Sequence, residues 1–401
     1  MKSFIKTILT LFFSVLRDKV KKNNVIIFSG TDNYSYNGNS RYLYEHLSRE
    51  HKYDVYWYTK SNQVKNHLAL NKFKFLSLSN PFKLIITALR AKIVINDGDS
   101  YFNIFKICDS KDTYKISLFH GYGPKTTIAA KDDDNTRALR INRINKFDYI
   151  NYTSPYLANN ISKTIFGIPS HKAKILGFPK NDNFFNKDII NKKIYDKSFC
   201  KDLFANFTRD SKVILYTPTW RPYKYNLPLL DLSGFNVDDF NNFLKKNNLF
   251  FVYSVHSVRK PSELLGNTDR IKLINKSYPL YDTNEMMLES DILLNDYATT
   301  SVEFSILDRP QVFCMPDYDK YCKRKGFIED YKNTIPGKAA ESYDSLMKIF
   351  KEILGNSENY TLSFNNQRKN LLEKYYNLEN YNSIDNCSKF LSNIINGDVS
   401  K

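Results

Sequence analysis

Asn24-Val25-Ile26-Ile27-Phe28-Ser29-Gly30 is a short apolar run stopped by a glycine, the pattern of a strand buried on both faces of a parallel sheet. Working outward, a helix fits Ser40–Glu50, and Tyr53-Asp54-Val55-Tyr56-Trp57-Tyr58 reads as a second strand. Further strands fit Phe73–Leu76, Ile93–Ile95, Ile116–Phe119 and Tyr149–Thr153, with helical patterns between several of them. Strands alternating with helices in this way predict a parallel sheet covered by helices on both sides.

The pattern restarts after a polar stretch near residues 186–210. Strands fit Val213–Tyr216, Phe250–Tyr253, Ile271–Leu273, Ile292–Leu294 and Gln311–Cys314. Helices fit Val237–Asn247, Met286–Ser290, Ser301–Leu307 and Tyr343–Leu354, and residues 362–396 are helical with mixed polarity. At 401 residues the chain suits two domains better than one core. Two successive α/β halves facing each other predict the GT-B architecture, with the active site in the cleft between two Rossmann-like domains. The expected boundaries are 1–23 for an N-terminal helix, 24–200 and 201–385 for the halves, and 386–401 for a tail. No GxxxxGK[ST] and no GxGxxG occurs, so P-loop and dinucleotide readings have no support.

Lys and Arg outnumber Asp and Glu by 59 to 42, a formal charge of +17. Nucleic acid, an anionic membrane or a phosphate-rich substrate could each answer to that balance. The cations are scattered and no RNA-binding motif or zinc finger is present, so no nucleic-acid partner is expected. Cys108, Cys200, Cys314, Cys322 and Cys387 are odd in number and contain no CxxC, which fits reduced thiols and neither a disulfide framework nor a zinc site.

The apolar run Phe4–Leu16 contains Lys6 and falls short of the ~20 residues that span a bilayer. As a helix it gathers Phe4, Ile5, Ile8, Leu9, Leu11, Phe12, Val15 and Leu16 on one broad face. The expectation is an interfacial helix that holds the protein to a membrane surface, with a signal peptide and a plain docking helix as rivals.

Ligands of open parallel sheets bind beyond the carboxyl ends of strands. His120-Gly121-Tyr122-Gly123-Pro124-Lys125-Thr126 begins at such an end, and its histidine beside two glycines suits proton transfer. The plainer alternative is a histidine satisfying a turn. His256, in Val255-His256-Ser257, occupies the same kind of edge in the second half, where a lone histidine is more often structural. Tyr216-Thr217-Pro218-Thr219-Trp220-Arg221 closes another strand; Arg221 is placed to hold a phosphate bidentately, and Trp220 to stack or pack. Asn295-Asp296-Tyr297-Ala298-Thr299-Thr300-Ser301-Val302-Glu303-Phe304 runs from a strand into a helix. Hydroxyls and N–H groups at that helix start make an anion site, a role compatible with simple capping.

These elements, in this order, resemble the CDP-glycerol glycerophosphotransferase family of teichoic acid primases and polymerases. The resemblance rests on His120–Lys125, Gly177-Phe178-Pro179-Lys180-Asn181-Asp182, Tyr216–Arg221, Asn295–Thr299 with Glu303 and Arg309-Pro310, and Gly326-Phe327, Asp330-Tyr331 and Pro336-Gly337. Asn39-Ser40-Arg41-Tyr42-Leu43-Tyr44 also looks like the family's first helix. Tyr122, Lys180 and Ala298 stand where the family pattern has Thr, Arg and Ser, which leaves the donor polyol and the acceptor open.

The resemblance implies an acceptor domain over 24–200, a CDP-donor domain over 201–385, and a peripheral enzyme on the cytoplasmic face of the cell membrane. It implies a CDP-glycerol or CDP-alditol donor, a polymer or lipid-linked acceptor in teichoic acid or capsule synthesis, no catalytic metal and no further cofactor. His120 is then expected to act as general base. His256, Arg221, Thr299, Thr300, Ser301 and Lys125 are expected at the donor phosphates, and Asp296 and Glu303 are expected to orient side chains or bind donor hydroxyls. The rival enzyme reading is a GT-B glycosyltransferase with a nucleotide-sugar donor, which the fold alone does not exclude.

Overall fold

The computed structural model describes residues 16–98, 107–125, 134–162, 168–219, 221, 227–255, 265–275, 280–399 and 401. His256 and Trp220 lie outside the described residues, as does the N-terminal apolar segment up to residue 15.

The first half is a parallel sheet of β1 (Asn23–Phe28), β2 (Asp54–Tyr58), β3 (Phe75–Leu76), β4 (Ala91–Asn96), β5 (Tyr114–Ser117), β6 (Tyr149–Tyr152) and β7 (Ala173–Ile175). Its order is β3-β2-β1-β4-β5-β6-β7. The second half contains β8 (Lys212–Tyr216), β9 (Leu249–Val255), β10 (Ile271–Asn275), β11 (Ile292–Asn295), β12 (Gln311–Cys314) and β13 (Lys338–Ala340), ordered β10-β9-β8-β11-β12-β13. Every pairing in both sheets is parallel. The apolar runs are buried as a parallel sheet requires: every residue of β9 is buried. The expected GT-B architecture of two Rossmann-like sheets is thus the observed one.

Both strand orders reverse once, between β1 and β4 and between β8 and β11. A crevice opens at such a reversal, where neighbouring crossovers leave on opposite faces of the sheet. Helix Gly38–Glu50 follows β1 at the first reversal, and helix Thr300–Phe304 follows β11 at the second.

The domain borders differ from the sequence reading at the C-terminus. Helices Asn365–Tyr375 and Ser383–Asn396 return to the first half. Cys387, Leu391 and Ile394 share a core with Ile26, Phe28, Trp57 and Ile116, so residues 386–401 are no tail. The peptide oxygens of Tyr375 and Lys374 accept hydrogen bonds from Thr153 Oγ1 (2.6 Å) and Ser154 Oγ (2.7 Å). Gly177 and Asp182 seat the last helix. Gly177 has φ +81°, and a Cβ there would come within 2.3 Å of Ser383 Oγ. The Asp182 carboxylate accepts from the Ser383 and Ile384 N–H groups at 3.1 and 2.8 Å. This part of the family-like motif therefore holds the C-terminus in place. Four of the five cysteines are buried and all five are free thiols.

Candidate active site

His120 lies three residues beyond β5, on a turn with unusual backbone geometry. Phe119 is left-handed (φ +59°), costly for a bulky side chain and common where local strain serves a site. Two side chains hold this turn by its carbonyls. Asn39 Nδ2 donates to Phe119 O at 2.8 Å, and Lys180 Nζ donates to His120 O at 3.0 Å. Beneath it an aromatic stack runs from His120 to Phe119 (4.8 Å), to Tyr122 (4.7 Å), and on to Tyr152 and Phe178. Tyr122 thus fills a core slot that a threonine would leave partly empty.

The imidazole itself is exposed. Its Nδ1 is 3.2 Å from the backbone oxygen of Asp97, just past β4. A carbonyl only accepts, so Nδ1 carries the proton, and the lone pair of the neutral ring is on Nε2. That is the tautomer a general base needs. The Asp97 carboxyl, fully buried, receives the Ser40 N–H at 2.9 and 3.1 Å and the Ser40 hydroxyl at 2.7 Å. Burial pushes the Asp97 carboxyl up to about 8 against these hydrogen bonds. Gly38 (φ +72°) is required here, because a Cβ would lie 2.3 Å from Asp97 Oδ2.

The second half meets this turn directly. Cβ atoms added to Gly121 and Gly123 would lie 2.8 Å from Thr299 Oγ1 and 3.1 Å from Thr299 Cγ2. The two glycines therefore let the His120 loop close onto the start of helix Thr300–Phe304. Lys125 pairs in antiparallel fashion with Phe327, and Ile328 N–H donates to Pro124 O at 2.9 Å. Burial draws the Lys125 ammonium down to about 8, with Asp296 opposing that shift and Arg221 and Lys325 adding to it. The structure thus brings the loop from His120 to Lys125 against Thr299 and Phe327 of the other half.

Several expected donor-binding side chains are engaged elsewhere. Arg221 is 3% exposed, and its guanidinium takes Asp317 bidentately and reaches Asp296 Oδ2 at 2.6 Å and Thr219 O at 2.8 Å. The bidentate acceptor expected to be phosphate is therefore a protein carboxylate. Asp296 accepts from Thr219 N–H, Ala298 N–H and Arg221, which fixes the loop after β11 instead of leaving its oxygens for donor hydroxyls. Ser301 Oγ turns inward to Gln311 Oε1 at 2.8 Å, away from an anion in the cleft. Thr300 Oγ1 shares a hydrogen bond with Thr217 Oγ1 at 2.7 Å. Glu303 is buried, with Oε1 2.7 Å from Lys180 Nζ. Of its two expected roles, orienting side chains is the one that this ion pair with the other half fits.

Asp97, Asn39 and Lys180 were not anticipated as site residues. Asp97 and Gly98 follow an apolar strand just as His120 does, so the strand-end rule was the signal for Asp97. Asn39 and Lys180 gave none beyond the family-like motifs around them.

With this geometry in hand, the relatives of the chain can be placed. A family model described as CDP-Glycerol:Poly(glycerophosphate) glycerophosphotransferase matches residues 10–392. The chain belongs to this family. A teichoic acid glycerol-phosphate primase of Bacillus subtilis (strain 168) is 26% identical over 362 residues, covering 88% of this chain and 87% of the primase. A teichoic acid poly(ribitol-phosphate) polymerase of Bacillus spizizenii is 26% identical over 364 residues, and the chain spans only 55% of that protein. A structure of the wall teichoic acid polymerase TagF superposes with TM-score 0.76 at 19% identity, covering 98% of this chain and 94% of that one, which establishes a shared fold. Membership in the glycerophosphotransferase family makes the chain a transferase of phosphorus-containing groups, as its motifs implied.

Proposed function

We propose that this glycerophosphotransferase moves glycerol phosphate, or a related polyol phosphate, from a CDP-alditol onto a polymer or lipid-linked hydroxyl at the cytoplasmic face of the membrane. The observation that carries the reading is the His120 turn itself: Nδ1 lies 3.2 Å from Asp97 O, and the glycines that follow the histidine pack against Thr299 of the opposite half. In the reaction the acceptor oxygen attacks the β-phosphorus and its proton passes to Nε2 of His120. The bond from the β-phosphorus to the bridging oxygen breaks, and CMP leaves. Thr299, Lys125 and His256 supply the donors and positive charge for the phosphates, while Arg221 and Asp296 hold the loops that present them. No divalent metal takes part in this scheme.

The test is a panel of CDP-glycerol, CDP-ribitol and UDP-glucose with membrane acceptor, scored by nucleotide release and product mass. CMP with polyol phosphate in the product, unchanged by EDTA, is expected. Transfer of a sugar without phosphate would replace the reading with a glycosyltransferase, and loss of turnover in EDTA would remove its metal-free step.

Membrane attachment rests on a second face besides the N-terminal segment. Residues 55–96 hold seven Lys and Arg and no Asp or Glu. Leu70, Leu78, Phe82 and Ile86 are exposed there by 83%, 61%, 80% and 55%. Lys22 Nζ donates to Leu89 O at 2.7 Å, which ties residue 22 to the end of helix Pro81–Arg90. Apolar tips among cations suit an anionic lipid surface. Among the described residues no helix is long and apolar enough to cross a membrane. Burying a large apolar side chain is worth ~1.5–3 kcal/mol. Phe82→Asp/Ile86→Asp is therefore expected to lower co-sedimentation with phosphatidylglycerol vesicles at least ten-fold, leaving turnover of a soluble acceptor unchanged. Equal sedimentation of variant and wild type would count against this face.

A further inference from the structure

We infer that Lys180 is a positioning residue for His120, and that its ion pair with Glu303 is the strut that sets the base in the first half against Thr299 in the second. This rests on the reading of His120 as the base.

Lys180 belongs to the short helical turn Pro179–Phe184, and its side chain is almost fully buried. It is tied to the His120 turn at two points. Its ammonium donates to His120 O at 3.0 Å, and its N–H donates to Asn39 Oδ1 at 3.3 Å, the same Asn39 whose amide holds Phe119 O. Two successive carbonyls of a strained turn are thus fixed, one by Lys180 directly and one by the Asn39 side chain that the Lys180 N–H holds. From the second half, Glu303 approaches the ammonium to 2.7 Å, and Asn284 Nδ2 reaches Asn181 Oδ1 at 2.7 Å and Lys180 O at 3.3 Å.

The charged groups that face Lys180 are Glu303, Asp97 and Asp282, with Arg41 3.7 Å from Asp282. Burial raises all three carboxyls, and Lys180 opposes the rise in each. Lys180 thus acts on three acids at the seam, most directly on Glu303, while Arg41 is the nearer cation for Asp282. Glycines 121 and 123 leave no side chain between the His120 loop and Thr299. A small shift of that loop therefore moves His120 relative to the donor side, and small misplacements of a reacting group cost on the order of 10²-fold in rate.

The experiment compares Lys180→Met, Glu303→Gln, the double variant and Lys180→Arg, each by kcat, KM for CDP-glycerol and Tm. Lys180→Met leaves Glu303 buried without its cation, so its Tm falls. The double variant removes the Lys180–Glu303 pair but leaves Asp97 and Asp282 without the lysine, so its Tm recovers only in part, while kcat stays down about 10²-fold with KM within about three-fold. Glu303→Gln keeps the Lys180 bond to His120 O and loses less kcat than the double variant. Lys180→Arg, a cation of similar reach, retains kcat within about three-fold. A double variant with wild-type kcat overturns the inference, and so does a kcat that merely tracks Tm across the series. Normal turnover in a His120→Asn variant would remove the base reading itself. An inactive His120→Asn beside a fully active double variant would remove only the strut.

Discussion

Replacing His120 with asparagine is expected to lower turnover of CDP-glycerol by about 10²–10⁴-fold, the usual worth of a positioned general base, while Tm stays within a degree or so of wild type. The choice of residue isolates the chemistry. Asparagine keeps an N–H near the place of Nδ1, able to donate to Asp97 O, and loses only the proton acceptor on the far side of the ring. The imidazole is exposed, so its removal opens no cavity. The turn itself stays held by Asn39 and Lys180 through backbone oxygens that the substitution does not touch. CMP release under saturating donor reads kcat directly. Turnover within three-fold of wild type would show that another group takes the proton.

Arg221→Met is expected to cost stability before it costs chemistry. The guanidinium bridges Asp296 and Asp317 inside the protein and packs over the Tyr297 ring at 4.9 Å. Removing one partner of a buried ion pair leaves uncompensated charge, here on two carboxylates, at about 3–5 kcal/mol. For a domain of this size that corresponds to a fall in Tm of roughly 6–20 °C. Lysine would not substitute well, because a single ammonium cannot span both carboxylates with a planar fork. Thermal and urea melts measure the loss. A change under about 1 kcal/mol, or full stability with donor KM raised, would return Arg221 to the phosphate role that its motif suggested.

Much of the fold was legible because parallel strands write themselves plainly. Apolar runs such as Ile292–Leu294 and Phe250–Tyr253 appear almost unchanged as β11 and β9. The missed strands, Ala173–Ile175 and Lys338–Ala340, have three residues each and lie at sheet edges, too short for any period to show. The return of the C-terminal helices to the first half was equally silent. An amphipathic helix announces that it has a buried face, but not which core receives it.

The sequence by itself determined the two parallel sheets, the family, and the positions of His120 and of the Asp296–Glu303 segment at strand ends. Those follow from local pattern and from the rule that ligands meet the carboxyl edges of such sheets. Only the tertiary structure decided what each polar side chain does there. A buried charge must find a partner, and partners come from distant parts of the chain. Arg221 is claimed by Asp317, Ser301 by Gln311, and Glu303 by Lys180. Thr299 is left facing the two glycines that follow His120, and the histidine's backbone rests on a lysine that no spacing rule had singled out.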